Sequence, residues 1–279
     1  MNSNNKIKYL KNILSIIVLV SFVLFELEYL NIHKFGILTL MHIDNTSSEN
    51  IQIDNSSSSE QFDIYDLDYE TISTVSETKR GKFSYATASE TYFENTLFIG
   101  DSRMVGFSVY KEIQGVTYFC YQSASAYTVL DKEYNLKPYG NITLRALLTL
   151  KKFDKIYMML GINNVAADPE KHFANYKSIV DVVKETQESS PLYIIANLHV
   201  TSEITEKSKR INNVNINRFN DLISGLADNE TVFYLDPNPI YDDEEGNMDI
   251  ELSSDNAHIY VRYYDRLLYF LLTHVVVFE

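Results

Sequence analysis

From about Thr91 onward, the chain alternates short, almost unbroken apolar runs with longer stretches whose apolar residues recur at helical spacing. The short runs are Thr96–Ile99, Val116–Cys120, Lys155–Leu160, Leu192–Asn197 and Val232–Leu235, all rich in Ile, Val, Tyr, Phe and Leu. A strand covered on both faces has no polar alternation to show, so such runs predict strands of a buried parallel sheet. Between them, Ser102–Ile113, Asn141–Lys152, Pro169–Glu188 and Lys207–Asp228 read as helices, and Val261–His274 supplies a last amphipathic one. Strands and helices in this alternation, joined by right-handed crossovers, predict an α/β fold: a three-layer α/β/α sandwich around a five-stranded parallel sheet.

The residues ahead of this pattern are of another kind. Lys6, Lys8 and Lys11 precede an apolar run, Ile13–Phe25, broken only by Ser15 and Ser21 and closed by Glu26 and Glu28. Basic residues followed by such a run predict a secretion or anchoring segment. The run is shorter than the ~20 residues that span a bilayer. Including Ile7–Leu10, with the lysines snorkelling, brings it to that length. No small-x-small cleavage site follows, which favours an uncleaved single-pass membrane helix over a secreted, cleaved form. The lysines on its N-terminal side then place the rest of the chain outside the cytoplasm. Residues 44 to about 80 are rich in Ser, Asn, Asp and Glu, with Ser56–Ser59 at their centre. Too little apolar surface is present there to offset chain entropy, so a flexible spacer is expected. The predicted organisation is a basic tip and anchor over 1–30, a linker over 31–90 and a folded domain over 91–279.

Charge narrows the choice of partner. Nine of the fourteen net negative charges fall between Asp44 and Thr78, which contain no Lys or Arg. The remainder is mildly acidic and offers no basic stripe to a phosphate backbone, so nucleic acid is not expected as a partner. The single cysteine, Cys120, excludes an internal disulfide and reads as a strand residue. There is no phosphate-binding glycine loop and no His/Cys cluster for zinc, so no cofactor or metal is expected. The acidic run Asp242–Glu245 before Gly246 lacks the ligand spacing of a calcium loop and reads as a solvated turn.

Parallel sheets of this kind bind ligands beyond the carboxyl ends of their strands. The reactive inventory falls there. Gly100-Asp101-Ser102 follows the first strand, Ser123 the second, Gly161-Ile162-Asn163-Asn164 the third and His199 the fourth, with Asp255 and His258 after the fifth. Serine needs a base for its proton and donors for the developing oxyanion. Ser102 sits where a strand turns into a helix, a position that also suits Ser102 or Asp101 as a plain helix cap. Asp255 stands three residues before His258, close enough to hold Nδ1–H and leave Nε2 as the base; a surface or capping histidine has the same spacing. Asn163 is a candidate oxyanion donor or the stabiliser of its own turn. Arg103 could meet an anionic substrate or pair with an acidic neighbour. His199, lacking an evident orienting carboxylate, reads as a pocket-wall or surface residue, and His172 and His274 as solvated or capping residues on helices.

The blocks TLFIGDSRMVGF at 96–107, MLGINNV at 159–165 and SSDNAHIYVRYYDRLLYFL at 253–271 resemble the SGNH (GDSL-like) hydrolases, in particular their bacterial surface members, over roughly residues 92–274. The resemblance implies a flavodoxin-like fold and a serine esterase acting through an acyl-enzyme. It makes Ser102 the nucleophile, His258 the general base and Asp255 its orienting residue. The backbone N–H of Ser102, Asn163, and Ser123 at the family's glycine position become oxyanion donors. By their positions beside these residues, Arg103, Asn164 and His199 are candidates for contact with substrate. Two departures stand out: Gln122-Ser123-Ala124-Ser125 replaces the expected glycine block, and Asn164 replaces the last Asp of Gly-x-Asn-Asp. With the predicted outward location, the expected substrates are acylated small molecules or O-acylated cell-envelope glycans. An O-acyltransferase using the same triad, and a silent binding module that keeps only the fold, are the alternatives.

Overall fold

The computed structural model describes residues 83–278. The predicted anchor and most of the predicted linker lie outside them. Among the described residues no helix is long and apolar enough to cross a membrane.

The predicted sheet is present. Strands β2 (Thr96–Gly100), β3 (Thr117–Cys120), β6 (Lys155–Met159), β7 (Leu192–Ile195) and β8 (Val232–Leu235) form five parallel strands in the order β3-β2-β6-β7-β8. Successive side chains leave opposite faces of each strand. Leu97, Ile99, Ile156, Met158, Leu192 and Ile194 accordingly join one buried cluster, and Phe98, Tyr157, Tyr193 and Phe233 the other. Helices α2 (Leu144–Leu150), α3 (Pro169–Thr186) and α5 (Asn213–Ser224) cover the first face; α1 (Ser102–Tyr110) and α6 (Tyr264–Thr273) cover the second. On the second face the strand register stacks rings across the sheet: Phe98 on Tyr157 at 5.1 Å, Tyr157 on Tyr193 at 4.5 Å and Tyr193 against Phe233 at 5.5 Å. Such cross-strand aromatic pairs add to register specificity as well as to burial.

The strand order reverses direction between β2 and β6. That is the switch point at which a parallel sheet opens a crevice. The chain thus delivers Ser102, after β2, and Gly161–Asn164, after β6, to adjacent strand ends.

Several elements differ from expectation, each for a local reason. The predicted helix Asn141–Lys152 starts only at Leu144. A hairpin of β4 (Tyr134–Leu136) and β5 (Gly140–Ile142) precedes it, and Thr143 caps it by accepting from Ala146 N–H at 3.1 Å. The predicted helix Lys207–Asp228 begins only at Asn213, as α5, and a separate short helix precedes it. Helix α4 (Ser202–Lys207) stops where Ser208 Oγ takes the N–H groups of Arg210 and Ile211, and α5 restarts under an Asn212 cap. Strand β1 (Phe83–Ala86), within the stretch expected as linker, pairs antiparallel with β9 (Val275–Phe278), which follows α6.

Candidate active site

Three loops at the carboxyl ends of the strands build the site. At the end of β2, Asp101 is buried and caps α1: its Oδ1 accepts the Arg103 N–H at 3.2 Å and its Oδ2 the Gly161 N–H at 3.3 Å. One carboxylate therefore ties the Ser102 turn to the loop after β6. Burial raises the Asp101 pKa, with Arg103 opposing the shift. Because Asp101 is the cap, the Ser102 hydroxyl is left for other work. The Ser102 N–H, in the first turn of α1, has no acceptor among the described residues.

Ser102 Oγ lies 2.8 Å from His258 Nε2, and His258 Nδ1 lies 2.8 Å from Asp255 Oδ2. The Asp255 carboxylate fixes Nδ1 as the protonated nitrogen, so Nε2 accepts from the serine. The backbone explains how residues three apart meet. Asn256 adopts φ 67°, a left-handed conformation that Asn tolerates, and the turn brings the N–H groups of Ala257 and His258 onto Asp255 Oδ1 at 3.0 and 2.8 Å. Burial alone would raise the Asp255 pKa, but these hydrogen bonds and His258 outweigh it and hold the carboxyl down to about 2. Thr201 N–H donates to the Asn256 carbonyl at 3.1 Å, and Ser253 Oγ to the His258 carbonyl at 2.6 Å. The loop is thus anchored at both ends. His258 and Asp255 side chains are nonetheless about half exposed, at 45% and 54%, so the site is open to large substrates.

Arg103 is not a substrate ligand. Its guanidinium is buried and donates to the carbonyls of Leu198, His199 and Ala257, while Tyr264 Oη donates to the Arg103 carbonyl at 2.6 Å. Gly106 lets that tyrosine approach, since a Cβ there would lie 2.3 Å from its hydroxyl oxygen. Arg103 therefore fastens the loop carrying His258 to the helix carrying Ser102. Burial lowers its pKa against the pull of Asp101, yet guanidinium starts so high that it stays charged.

His199 departs from expectation too. Its Nδ1 lies 2.7 Å from Asp242 Oδ2 and its Nε2 2.5 Å from Asn217 Oδ1, leaving neither nitrogen for substrate. The acidic run thus supplies an orienting carboxylate and is not wholly a solvated turn. His172 is buried and stacked 3.9 Å from Phe219, so it is not solvated; His274, half-buried, is the C-cap of α6 as expected, stacked 4.0 Å from Phe270 with Nδ1 2.7 Å from that residue's carbonyl oxygen.

The oxyanion candidates divide. Asn163 donates from Nδ2 to the Gln122 carbonyl at 3.1 Å and the Ala124 carbonyl at 2.8 Å. An amide has two such hydrogens, so both are committed to the loop after β3 and neither is left for an oxyanion. That loop holds Ser123, whose N–H has no acceptor among the described residues and whose φ is not left-handed. The missing glycine therefore costs no backbone strain. Gly161, by contrast, is required: φ is 140°, and a Cβ would fall 2.4 Å from the Phe219 ring. Asn164 Oδ1 is buried without a partner and lines a groove with Asn163.

No protein-family model matches the chain, and no curated protein matches its sequence. Solved structures do. One is a candidate platelet activating factor from Streptococcus pneumoniae, 19% identical, covering 64% of this chain and 82% of its own, with a TM-score of 0.52. What is shared is the fold. A GDSL-like lipase from Bacteroides thetaiotaomicron (15% identity, 65% and 87% coverage, TM-score 0.49) and the acetylxylan esterase Axe2 from Geobacillus stearothermophilus (13%, 65% and 93%, 0.46) are also similar.

Proposed function

We propose that the protein is a serine carboxylic ester hydrolase of the SGNH type with Ser102, His258 and Asp255 as its triad. The observation that carries the reading is the unbroken chain from Ser102 Oγ through both ring nitrogens of His258 to Asp255, at 2.8 Å in each link. Ser102 attacks the ester carbonyl as His258 Nε2 takes its proton. The tetrahedral intermediate expels the alcohol, which leaves with that proton, and an acyl-serine remains. Water, deprotonated by His258, then attacks the acyl carbon and releases the acid. The backbone N–H groups of Ser102 and Ser123 serve the oxyanion. Asn163 acts one step back by fixing the Ser123 loop.

The half-exposed triad suits O-acyl groups on a polymer, and the lysine-flanked run at Ile13–Phe25 suits display outside the membrane; we extend the proposal to O-acylated cell-envelope glycans on those grounds. A fluorophosphonate probe on the full chain in detergent tests the core of it. Labelling should map to Ser102 and vanish in His258→Ala, while Ser102→Ala should lose at least about 10⁴-fold in hydrolysis of 4-nitrophenyl acetate with no loss of fold. A folded wild-type protein that neither labels nor hydrolyses would sink the proposal.

A further inference from the structure

A groove of about 660 Å³ runs between the loop after β6 and the break separating α4 from α5. Asn163 and Asn164 line one wall, Lys209 and Arg210 the other. It adjoins the proposed catalytic centre, because Gly161 donates to Asp101 beside Ser102 and Asn163 holds the Ser123 loop. Its charge is opposite to its surroundings. The described residues carry 26 acidic against 17 basic side chains, yet no acidic side chain lines this groove. Lys209 and Arg210 are both exposed, and neither has an ion-pair partner among the described residues.

The segment is also preorganised. Ser208 Oγ accepts from the N–H groups of Arg210 and Ile211, and Asn215 Nδ2 donates to the carbonyls of Lys209 and Arg210. Two adjacent cations on a fixed backbone, facing water without a counter-charge, cost little to engage an anion. The Asn164 side chain beside them is neutral, and its Oδ1 is buried without a donor among the described residues.

We infer that this groove is a specificity subsite for negatively charged esters, with Lys209 and Arg210 holding a carboxylate or phosphate of the substrate. The inference rests on the ester-hydrolase reading and narrows its substrate class from O-acylated glycans in general to acidic ones. Two exposed charge contacts of this kind together select about tenfold in kcat/KM.

Two matched pairs of esters test it on the full chain in detergent. In one the charge lies on the alcohol side: 4-acetoxybenzoate against its methyl ester. In the other it lies on the acyl side: 4-nitrophenyl hemisuccinate against its methyl ester. The wild type should prefer the charged member of at least one pair about tenfold at 50 mM salt and lose most of that preference at 500 mM. Lys209→Ser/Arg210→Ser should bring the ratio to about one, and Lys209→Glu/Arg210→Glu should reverse it. Both changes are at exposed positions and should leave the unfolding temperature in place, which checks the fold. Neutral esters cleaved with no charge preference, or a preference that survives both variants, overturns the inference and leaves the hydrolase reading standing. If none of the four esters is cleaved, the hydrolase reading fails and the subsite with it.

Discussion

Two histidine–aspartate pairs sit beyond the carboxyl ends of neighbouring strands, and they differ in what the second ring nitrogen meets. In both, a carboxylate oxygen lies on Nδ1, at 2.8 Å for His258 and 2.7 Å for His199. His258 turns Nε2 to the Ser102 hydroxyl; His199 turns Nε2 to the Asn217 amide oxygen. The His258 side chain is 45% exposed and that of His199 11%. A carboxylate on Nδ1 is therefore not enough to make a base. The other nitrogen must face a group with a proton to give, where substrate can reach. With oxygens on both nitrogens, His199 favours the imidazolium and works as a cross-brace: burial lowers its pKa, but Asp242 and Asn217 outweigh that and raise it.

Removing the carboxylate from each pair should separate the roles. Asp255→Asn leaves the shape but frees His258 to take the wrong tautomer, so kcat should fall about 10³–10⁴-fold with KM little changed. Steady-state hydrolysis of 4-nitrophenyl acetate measures it. A loss under tenfold would place Asp255 outside the mechanism and reduce both pairs to structure.

Arg103 links the two regions, since one guanidinium holds the carbonyls beside both histidines. Lys at this position keeps the charge but not the planar fork. Arg103→Lys should cost about 2–3 kcal/mol in urea unfolding and slow fluorophosphonate labelling at Ser102 roughly tenfold. Normal labelling in a destabilised protein would show that the clamp supports the fold without positioning His258.

How much of this could be read in advance depends on the sequence separation of the partners. The five parallel strands were legible because burial on both faces leaves unbroken apolar runs. Asp255 and His258 were legible because three residues and one turn join them. His199 and Asp242 are 43 residues apart, and nothing local distinguishes Asp242 from the acids beside it. The same holds for the Arg103 carbonyl partners, which carry no side-chain signature at all. The break at Ser208 did leave a signal, a Ser and then Asn212 ahead of a new apolar period, but Ile211 and Val214 carried the helical pattern across it. Strand β9 was hidden differently: Val275–Phe278 is a plain apolar run whose partner, β1, lies 189 residues away at Ala86↔Val275.

A third histidine shows what burial does without a carboxylate. His172 lies between the Tyr127 and Phe219 rings with Nε2 unpartnered, and burial pushes its pKa down to about 4. A folded-state value below the unfolded one means no penalty above about pH 6.5. Below that, the unfolded chain binds a proton that the folded state refuses, and stability falls until about pH 4. His172→Phe should remove this sensitivity and gain about 2 kcal/mol relative to wild type at pH 4.5. Urea unfolding of both proteins at pH 4.5 and 7.5 gives the comparison; an equal difference at the two pH values would mean the ring is not kept neutral.

The smallest expected effect, and the one with the opposite sign, belongs to His199. Its folded pKa is raised, so the stability it contributes is fully present below the unfolded value near 6.5 and is lost as pH rises through the folded value. In Asp242→Asn the carboxylate that raises it is gone and burial, which lowers it, prevails. The variant should then be destabilised by about 1 kcal/mol near pH 5.5 and by less at pH 8.5, where wild-type His199 has shed its proton. Hydrolysis of 4-nitrophenyl acetate should change less than twofold, because the brace touches neither Ser102 nor His258. A deficit that grew toward high pH would show that Asp242 serves through its hydrogen bond to a neutral ring. A large loss of kcat would bring the second pair into the chemistry and erase the distinction between the two.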